Sequence, residues 1–392
     1  MDQFRRHSLD YLKNNNINIQ PKNNRNILLD HIKPHLSNGF DVFVPSAKTG
    51  EFIHDLKEID TPLNINACEE NKELFDIIKD IPDVTIYNNN FLQVSPPHNF
   101  KKYDLILGTL PSQIVDKKTD IGYKFKHWFV NKTDIYSLYF MHSINLLKHQ
   151  GIAAFIIPNS ICNSPYLQLL RNKIYHSGSI LKLQYLSNLY TKTTHNSLLI
   201  VFKKDKIQKD DFNYKFSNMT FYTPNTPLYK SIFNNANTLH NLRAHIQNGQ
   251  ATPELQRCND HDAVPIIYHK NICKDNTLQL FDNSKQYIFS KHINSKINNT
   301  PSLLFSRIIG NKDNEHNLFF ASCSLDQYIC SHSIMIISFP HLKNETALIL
   351  IKNIINSLNN PDTKLWLKHF IKDGQISKFQ LKYYMPIYDI TF

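Results

Sequence analysis

The sequence predicts a doubly wound α/β sheet followed by a second, mixed α+β domain. Three observations lead there. Through about residue 203, strand-length apolar runs alternate with helical patterns, the rhythm of strands joined by crossover helices. A charged stretch, KKDKIQKDDFNYK, then breaks that rhythm from Lys203 onward. Beyond it come short strands separated by polar loops. The expected domains are 1–210 and 215–392, which suits a chain of 392 residues.

The elements follow in order. NRNILLDHIKPHL has helical spacing, and FDVFVPS is a β-rich run ending in a loop. GEFIHDLKEI is helical, PLNINACEE a strand, and ENKELFDIIKDI helical again. DVTIYNN and YDLILGTLP read as strands. Ile135–Leu147 is expected to be an amphipathic helix, Gly151–Pro158 a buried strand and Tyr166–His176 a helix. Ile180–Ser187 and Ser197–Lys203 then pair antiparallel at one edge of the sheet. In the second domain VPIIYHKNI, QYIFSKHI, SLLFSRIIG, NLFFASCS and YICSHSIMIISF are the expected strands, and Thr346–Leu358 and Thr363–Lys372 the helices. Glycine is scarce, with 9 in the chain, and Gly50, Gly108 and Gly151 are expected at the ends of apolar runs.

Composition narrows the function classes. Hydrophobic content of 41% and aromatic content of 12% exclude a disordered chain. A net charge of +11 favours a polyanionic partner, nucleic acid first. The alternative source of that charge is the codon bias of an AT-rich genome, which the Asn, Lys and Ile content also fits. The six cysteines form no CxxC pair and no Cys/His cluster with zinc spacing, so no metal site is expected. They are read as reduced, mostly buried thiols. No signal region opens the chain and no run reaches membrane-spanning length, so the expectation is an intracellular protein without a membrane.

In an open α/β sheet, ligands bind beyond the carboxyl ends of the strands. Four such ends carry the informative letters: VPSAKTGEF, INACEENKEL, YNNNFLQ and YDLILGTLPS. Together they resemble the adenine-N6 DNA methyltransferases of restriction-modification systems, which use S-adenosylmethionine (AdoMet). The first resembles the family's EPSAGTGxF or DPACGTGxF loop, with Pro45, Ser46, Ala47, Thr49, Gly50 and Phe52 matching. In the family this loop wraps the methionine end of AdoMet. Its leading acid is here Val44 and a central glycine is Lys48. Lys48 adds bulk and sets a cation beside a sulfonium; the alternative is a grip on the AdoMet carboxylate. The loop lacks P-loop spacing.

Glu69 stands where the family places the acid that takes both ribose hydroxyls. The alternative is an acid that simply begins a helix. Asn90 and Phe91 replace the usual Asp-Phe, whose acid accepts from the AdoMet adenine amine; an amide carbonyl can still accept there. The fourth end departs most. The family reads Asn-Pro-Pro-Tyr, in which the Asn and the next carbonyl orient the target amine and the aromatic stacks on a flipped-out base. Here the letters are Thr109, Leu110, Pro111 and Ser112. Thr109 is a smaller acceptor, the Leu110 carbonyl remains, and Ser112 cannot stack.

The stretch from DIYSLYFMHSINLL through the Ile-Pro-Asn-Ser turn to LRNKIY is similar to the family's helix, strand, turn and helix. LYTKTTHNSLLIVFKK is similar to its closing hairpin, where Tyr190 falls near a second base-stacking position; the alternative is an ordinary aromatic at a loop base. NGQATPELQRC, IIYHKNI, PSLLFSRIIGN, YICSHSIMII and DGQISKFQLKYYMPIY follow the order of type I and type IIG target-recognition domains. Arg307, before Gly310, is then a candidate for a phosphate or base edge, against a surface ion pair.

The resemblance implies an AdoMet-methyltransferase Rossmann-like domain and a DNA-recognition domain. It also implies AdoMet as cofactor and duplex DNA as partner. The leading expectation is a site-specific DNA adenine-N6 methyltransferase homologue with little transfer activity. A non-catalytic DNA-binding subunit, partnered by an active methyltransferase or another restriction-modification subunit, is one alternative. A methyltransferase acting on RNA or another substrate is the other. No nuclease-like stretch is present.

Overall fold

The structure is a computed structural model. It describes residues 19–93, 102–186, 197–205, 211–216, 219–250, 257–258, 264–281, 287–288, 297–308, 318–371 and 375–390. The chain divides into two compact units, Met1–Thr226 and Pro227–Phe392.

The first unit is built on a seven-stranded sheet. Its strands are β1 (Phe40–Val44), β2 (Leu63–Cys68), β3 (Val84–Tyr87), β4 (Tyr103–Thr109), β7 (Leu147–Pro158), β8 (Gly178–Tyr185) and β9 (Ser197–Lys204). β5 (Ile114–Asp116) and β6 (Lys132–Asp134) form a separate antiparallel hairpin. The sheet order is β3-β2-β1-β4-β7-β9-β8. The first five are parallel, with chain direction reversing its spread between β1 and β4, the switch point of a doubly wound sheet. β8 and β9 pair antiparallel as expected, but β9 inserts between β7 and β8. Gly151 lies within β7 rather than at its end.

Alternation along each strand feeds two cores. Phe43, Ile106 and Phe155 point into one cluster, while Val42, Val44, Leu105, Leu107, Ala154 and Ile156 point into the other. Helices α1 (Lys22–Ile32) and α2 (Glu51–Lys57) cover the second face through Leu28, Leu29, Ile32, Ile53 and Leu56. A buried ion pair, Arg25 to Asp55, ties them together. α3 (Lys72–Ile78) follows β2, and α4 (Asp120–Lys124) lies inside the β5–β6 hairpin. α5 (Ile135–Leu146) and α6 (Gln168–Ser177) cover the first face.

α5 corrects one expectation. It is not amphipathic: every residue but Asn145 is buried. Its outer side lies under the hairpin, where Trp128 approaches His142 with ring centroids 6.4 Å apart. Two of its polar residues are paired inside, Ser137 with Thr133 at 2.8 Å and Ser143 with the Tyr139 carbonyl at 2.8 Å. β10 (Asn213–Phe216) and β11 (Met219–Tyr222) close the unit, with the Tyr222 hydroxyl donating to the Arg171 carbonyl at 2.8 Å. The expected boundary run at 203–215 therefore precedes the division between the units.

The second unit is mixed α+β. α7 (Thr226–Phe233) leads into it. β12 (His245–Asn248), β16 (Ser302–Ser306), β17 (Phe320–Cys323) and β19 (Ile334–Ser338) form an antiparallel sheet in the order β12-β19-β16-β17. β13 (Arg257–Cys258), β14 (Val264–Ile267), β15 (Tyr287–Ile288) and β18 (Ile329–Cys330) form a second sheet. YICSHSIMIISF, expected as one strand, is thus split between two sheets. α8 (Asn344–Leu358), α9 (Pro361–Phe370) and α10 (Lys378–Tyr383) complete the unit. Among the described residues, no helix is long and apolar enough to cross a membrane. Cys68, Cys162, Cys323 and Cys330 are buried free thiols, and Cys273 is half-buried.

Candidate AdoMet and target-base site

β1 delivers the first loop. Val44, Pro45 and Ala47 are buried, and the Ala47 N–H donates to the Cys68 carbonyl at 3.0 Å, lashing the loop to the end of β2. Lys48 sits at φ 52 and Gly50 at φ 83, both in the left-handed region. Gly50 starts α2 from that conformation, which an L side chain takes only with strain. Lys48 bears the same strain with a full side chain. It is half-buried, and burial lowers its pKa, opposed by the nearby Glu51 and Glu69 carboxylates. Ser46 is half-buried, and the Thr49 hydroxyl donates to Glu51.

Glu69 follows β2 and is buried. Its Oε2 accepts from the Lys48 N–H at 2.8 Å and its Oε1 from the Asn71 N–H at 3.0 Å. Burial raises its pKa, and those two backbone donors pull it back. The carboxylate therefore joins the first loop to the second, and each oxygen keeps a further lone pair for a ribose hydroxyl. Beside it, the Cys68 thiol is pushed up to about 12 by burial and donates to the Asn89 carbonyl at 2.6 Å. That excludes a thiolate nucleophile at neutral pH.

The third loop is self-tied. Asn90 Oδ1 accepts from the Leu92 N–H at 2.8 Å, and its Nδ2 donates to Glu70. Phe91 is buried against Phe43, Tyr139 and His142, with centroids 5.5, 5.2 and 4.8 Å away. The loop is thereby fixed relative to β1 and α5.

The fourth end is Thr109–Ser112. Thr109 pairs with Ile156 of β7, and its Oγ1 is buried without a hydrogen-bond partner. Leu110 is buried and Pro111 half-buried. Ser112 is exposed and donates to Asp134 Oδ2 at 2.7 Å. Asp134 also accepts from the Gln113 N–H at 3.0 Å and caps α5 through the Tyr136 N–H. Asp134→Ala is expected to cost about 1 kcal/mol of stability, as lost N-caps do, measured by chemical denaturation.

No sequence motif marks Asn159 as a site residue. It follows β7 in the Ile-Pro-Asn-Ser turn, and its Nδ2 is buried without a partner. The turn is held by the Ser160 hydroxyl, 2.9 Å from the Tyr136 hydroxyl, and by Arg171 donating to the Ile161 carbonyl at 3.0 Å. Two buried, unpartnered polar atoms thus stand at the carboxyl ends of the adjacent parallel strands β4 and β7. Only the β4–β7 register reveals this.

Tyr190 lies outside the described residues, as do Gly310 and residues 251–256 of NGQATPELQRC. Arg307 follows β16 and is half-buried, with its N–H donating to the Ser333 carbonyl at 2.9 Å and its carbonyl accepting from the Ile376 N–H at 3.0 Å. No carboxylate lies within ion-pair distance of it among the described residues. No group of His, Cys, Asp and Glu that could hold a metal occurs among the described residues.

Residues 4–191 match the model of the Eco57I restriction-modification methylase family. The type II methyltransferase M.AccI of Acinetobacter calcoaceticus is 25% identical over 185 residues, covering 44% of this chain and 34% of that protein. This chain spans about a third of that relative's length. Among solved structures, the type IIG restriction endonuclease BpuSI aligns with 93% of this chain and 57% of its own, at 9% identity and a TM-score of 0.45. A TehB-like SAM-dependent methyltransferase of Corynebacterium glutamicum aligns over 51% of this chain and 99% of its own, at 13% identity and a TM-score of 0.32. The first unit carries a doubly wound, Rossmann-like α/β sheet, and residues 4–191 of it are similar to the restriction-modification methylases of the Eco57I model.

Proposed function

We propose that the chain is a site-specific DNA adenine-N6 methyltransferase homologue that binds duplex DNA and AdoMet and transfers methyl groups weakly. The observation that carries this reading is the Thr109 hydroxyl, buried and unpartnered at the carboxyl end of β4, where a target amine would arrive. A hydroxyl there accepts a hydrogen bond from an exocyclic amine and orients its lone pair toward the methyl group. Asn159 Nδ2, at the end of the neighbouring strand, supplies a donor for a ring nitrogen of the same base.

The residues present fit AdoMet at two of its three parts. The Glu69 carboxylate suits the ribose hydroxyls, and the Asn90–Phe91 loop suits the adenine. At the methionine end, Lys48 would set a bulky cation where the family keeps a glycine. AdoMet, when bound, supplies an electrophilic methyl group. The protein's own part is to hold the amine in line and to exclude water. Ser112 offers no stacking face and is turned to Asp134, so a flipped base lacks the aromatic that would hold it.

The second unit is proposed as the target-recognition domain, and the working location is with the DNA, inside the cell. Binding to duplex DNA should depend steeply on salt. Log affinity is expected to fall linearly with log salt, at about −0.9 per phosphate contact. Anisotropy titrations of a duplex at several salt concentrations measure this. Absence of binding at low salt overturns the proposal.

A further inference from the structure

The β5–β6 hairpin leaves the site directly from Ser112 and returns to it at Asp134. It is rigidly anchored. Val115 and Phe129 are buried, and the Thr133 hydroxyl meets Ser137 inside. Gly122 packs so closely that a Cβ would stand 1.9 Å from the Asp116 carbonyl oxygen. Lys124 reaches back to the Leu92 carbonyl at 3.2 Å, joining the hairpin to the Asn90–Phe91 loop.

What this anchored element presents outward is unusual. Ile114, Tyr123 and Val130 are 63%, 68% and 66% exposed, and Tyr166 is 51% exposed. Lys117, Lys118, Lys124, Lys126 and Lys132 are all exposed. Lys126 lies over the Tyr123 ring at 4.6 Å and Lys132 over the Tyr166 ring at 4.8 Å. Two of the three acids are used locally: Asp116 accepts from the Lys118 N–H at 2.9 Å and Asp134 is the cap of α5, while Asp120 stands exposed in the first turn of α4, so five lysines outnumber the acids. Five cations interleaved with exposed aromatics on a rigid platform match a phosphate backbone and its bases.

We propose that residues 114–132, with Tyr166, form the surface by which the first unit grips the DNA strand entering the Thr109 site. Lysines meet phosphates; Tyr123 and Tyr166 supply flat faces for unstacked bases. This rests on the DNA reading above and locates it on the chain. The surface partly replaces the stacking that Ser112 cannot provide.

The test compares salt-dependent duplex binding of the full chain with two variants. Lys117→Ala/Lys126→Ala/Lys132→Ala should lower the salt slope by roughly 0.9 per lysine that meets a phosphate and weaken binding about tenfold. Tyr123→Ala/Tyr166→Ala should leave the slope unchanged and weaken binding to a duplex with a mismatched, unstacked base about tenfold. A control set, Lys22→Ala/Lys33→Ala/Lys79→Ala, removes exposed lysines that pair with carboxylates and should change neither quantity. Circular dichroism of each variant confirms that it is folded. If the wild type does not bind DNA, the function reading itself fails. If it binds and the hairpin lysine variant keeps the wild-type slope, this inference alone is overturned. Self-association that Ile114→Lys/Val130→Lys abolishes, with DNA binding unchanged, would also overturn it by assigning the surface to a second copy of the chain.

Discussion

A chain carrying Thr109→Asn, Leu110→Pro, Ser112→Tyr and Lys48→Gly together should form N6-methyladenine in DNA at least about a hundredfold faster than the wild type. One aligned hydrogen-bonding group in an active site commonly changes rates by on the order of a hundredfold or more. The Asn supplies a longer acceptor where Thr109 now leaves its hydroxyl unpartnered. The Pro stiffens the turn that aims the next carbonyl, and the Tyr supplies a stacking face usually worth ~1–3 kcal/mol per base. These groups act as a unit, so single reversions should give little and the combination more than their sum. Ser112→Tyr also removes the bond to Asp134, but Asp134 still holds the Gln113 and Tyr136 N–H groups, so α5 keeps its cap. Labelled methyl transfer to AT-rich plasmid DNA, followed by mass spectrometry of the nucleosides, measures the outcome. Robust N6-methyladenine from the wild type would show that Thr109 and Leu110 suffice.

Lys48→Gly alone should raise both stability and AdoMet affinity. A side chain held in the left-handed region costs about 1–2 kcal/mol, and glycine's extra backbone freedom returns part of that gain to the unfolded chain. A net rise of about 2 °C in Tm is expected for a unit of this size. The pH dependence identifies the cause. Burial lowers the Lys48 pKa, so the unfolded chain binds this proton more tightly than the folded one. Between the depressed pKa and the ordinary lysine value, stability therefore rises with pH; below both, the cost is present in full. The stability advantage of Lys48→Gly over the wild type should accordingly shrink as pH rises toward the ordinary lysine pKa. An advantage that does not change with pH would assign the effect to backbone strain alone.

The parts of this fold that were legible in sequence are those with strong periodicity. β1, β4 and β7 alternate between two buried faces, and their apolar runs carry that directly; β2 alternates between a buried and a more open face. The loops at their ends were legible because letters such as Ser46, Ala47 and Thr49 keep the family's spacing. Insertion of β9 between β7 and β8 was not legible, because strand order is decided by long-range pairing that no local pattern encodes. The sequence of α5 reads as amphipathic because its two-sided burial depends on the hairpin lying over it. That hairpin has no signature in the sequence, because β5 and β6 are only three residues each and rich in charge. Asn159 enters the proposed site only through the β4–β7 register, which sets the ends of the two strands side by side.

The central proposal is an AdoMet site that keeps the family's acid at Glu69, replaces its Asp by the still-accepting Asn90, and is obstructed at Lys48. Calorimetric titration of the wild type and Lys48→Gly with AdoMet tests it most directly. The expected result is weak binding by the wild type and an affinity about tenfold higher in the variant, a difference of about 1.4 kcal/mol. Low-micromolar binding by the wild type, unchanged by the substitution, would contradict it.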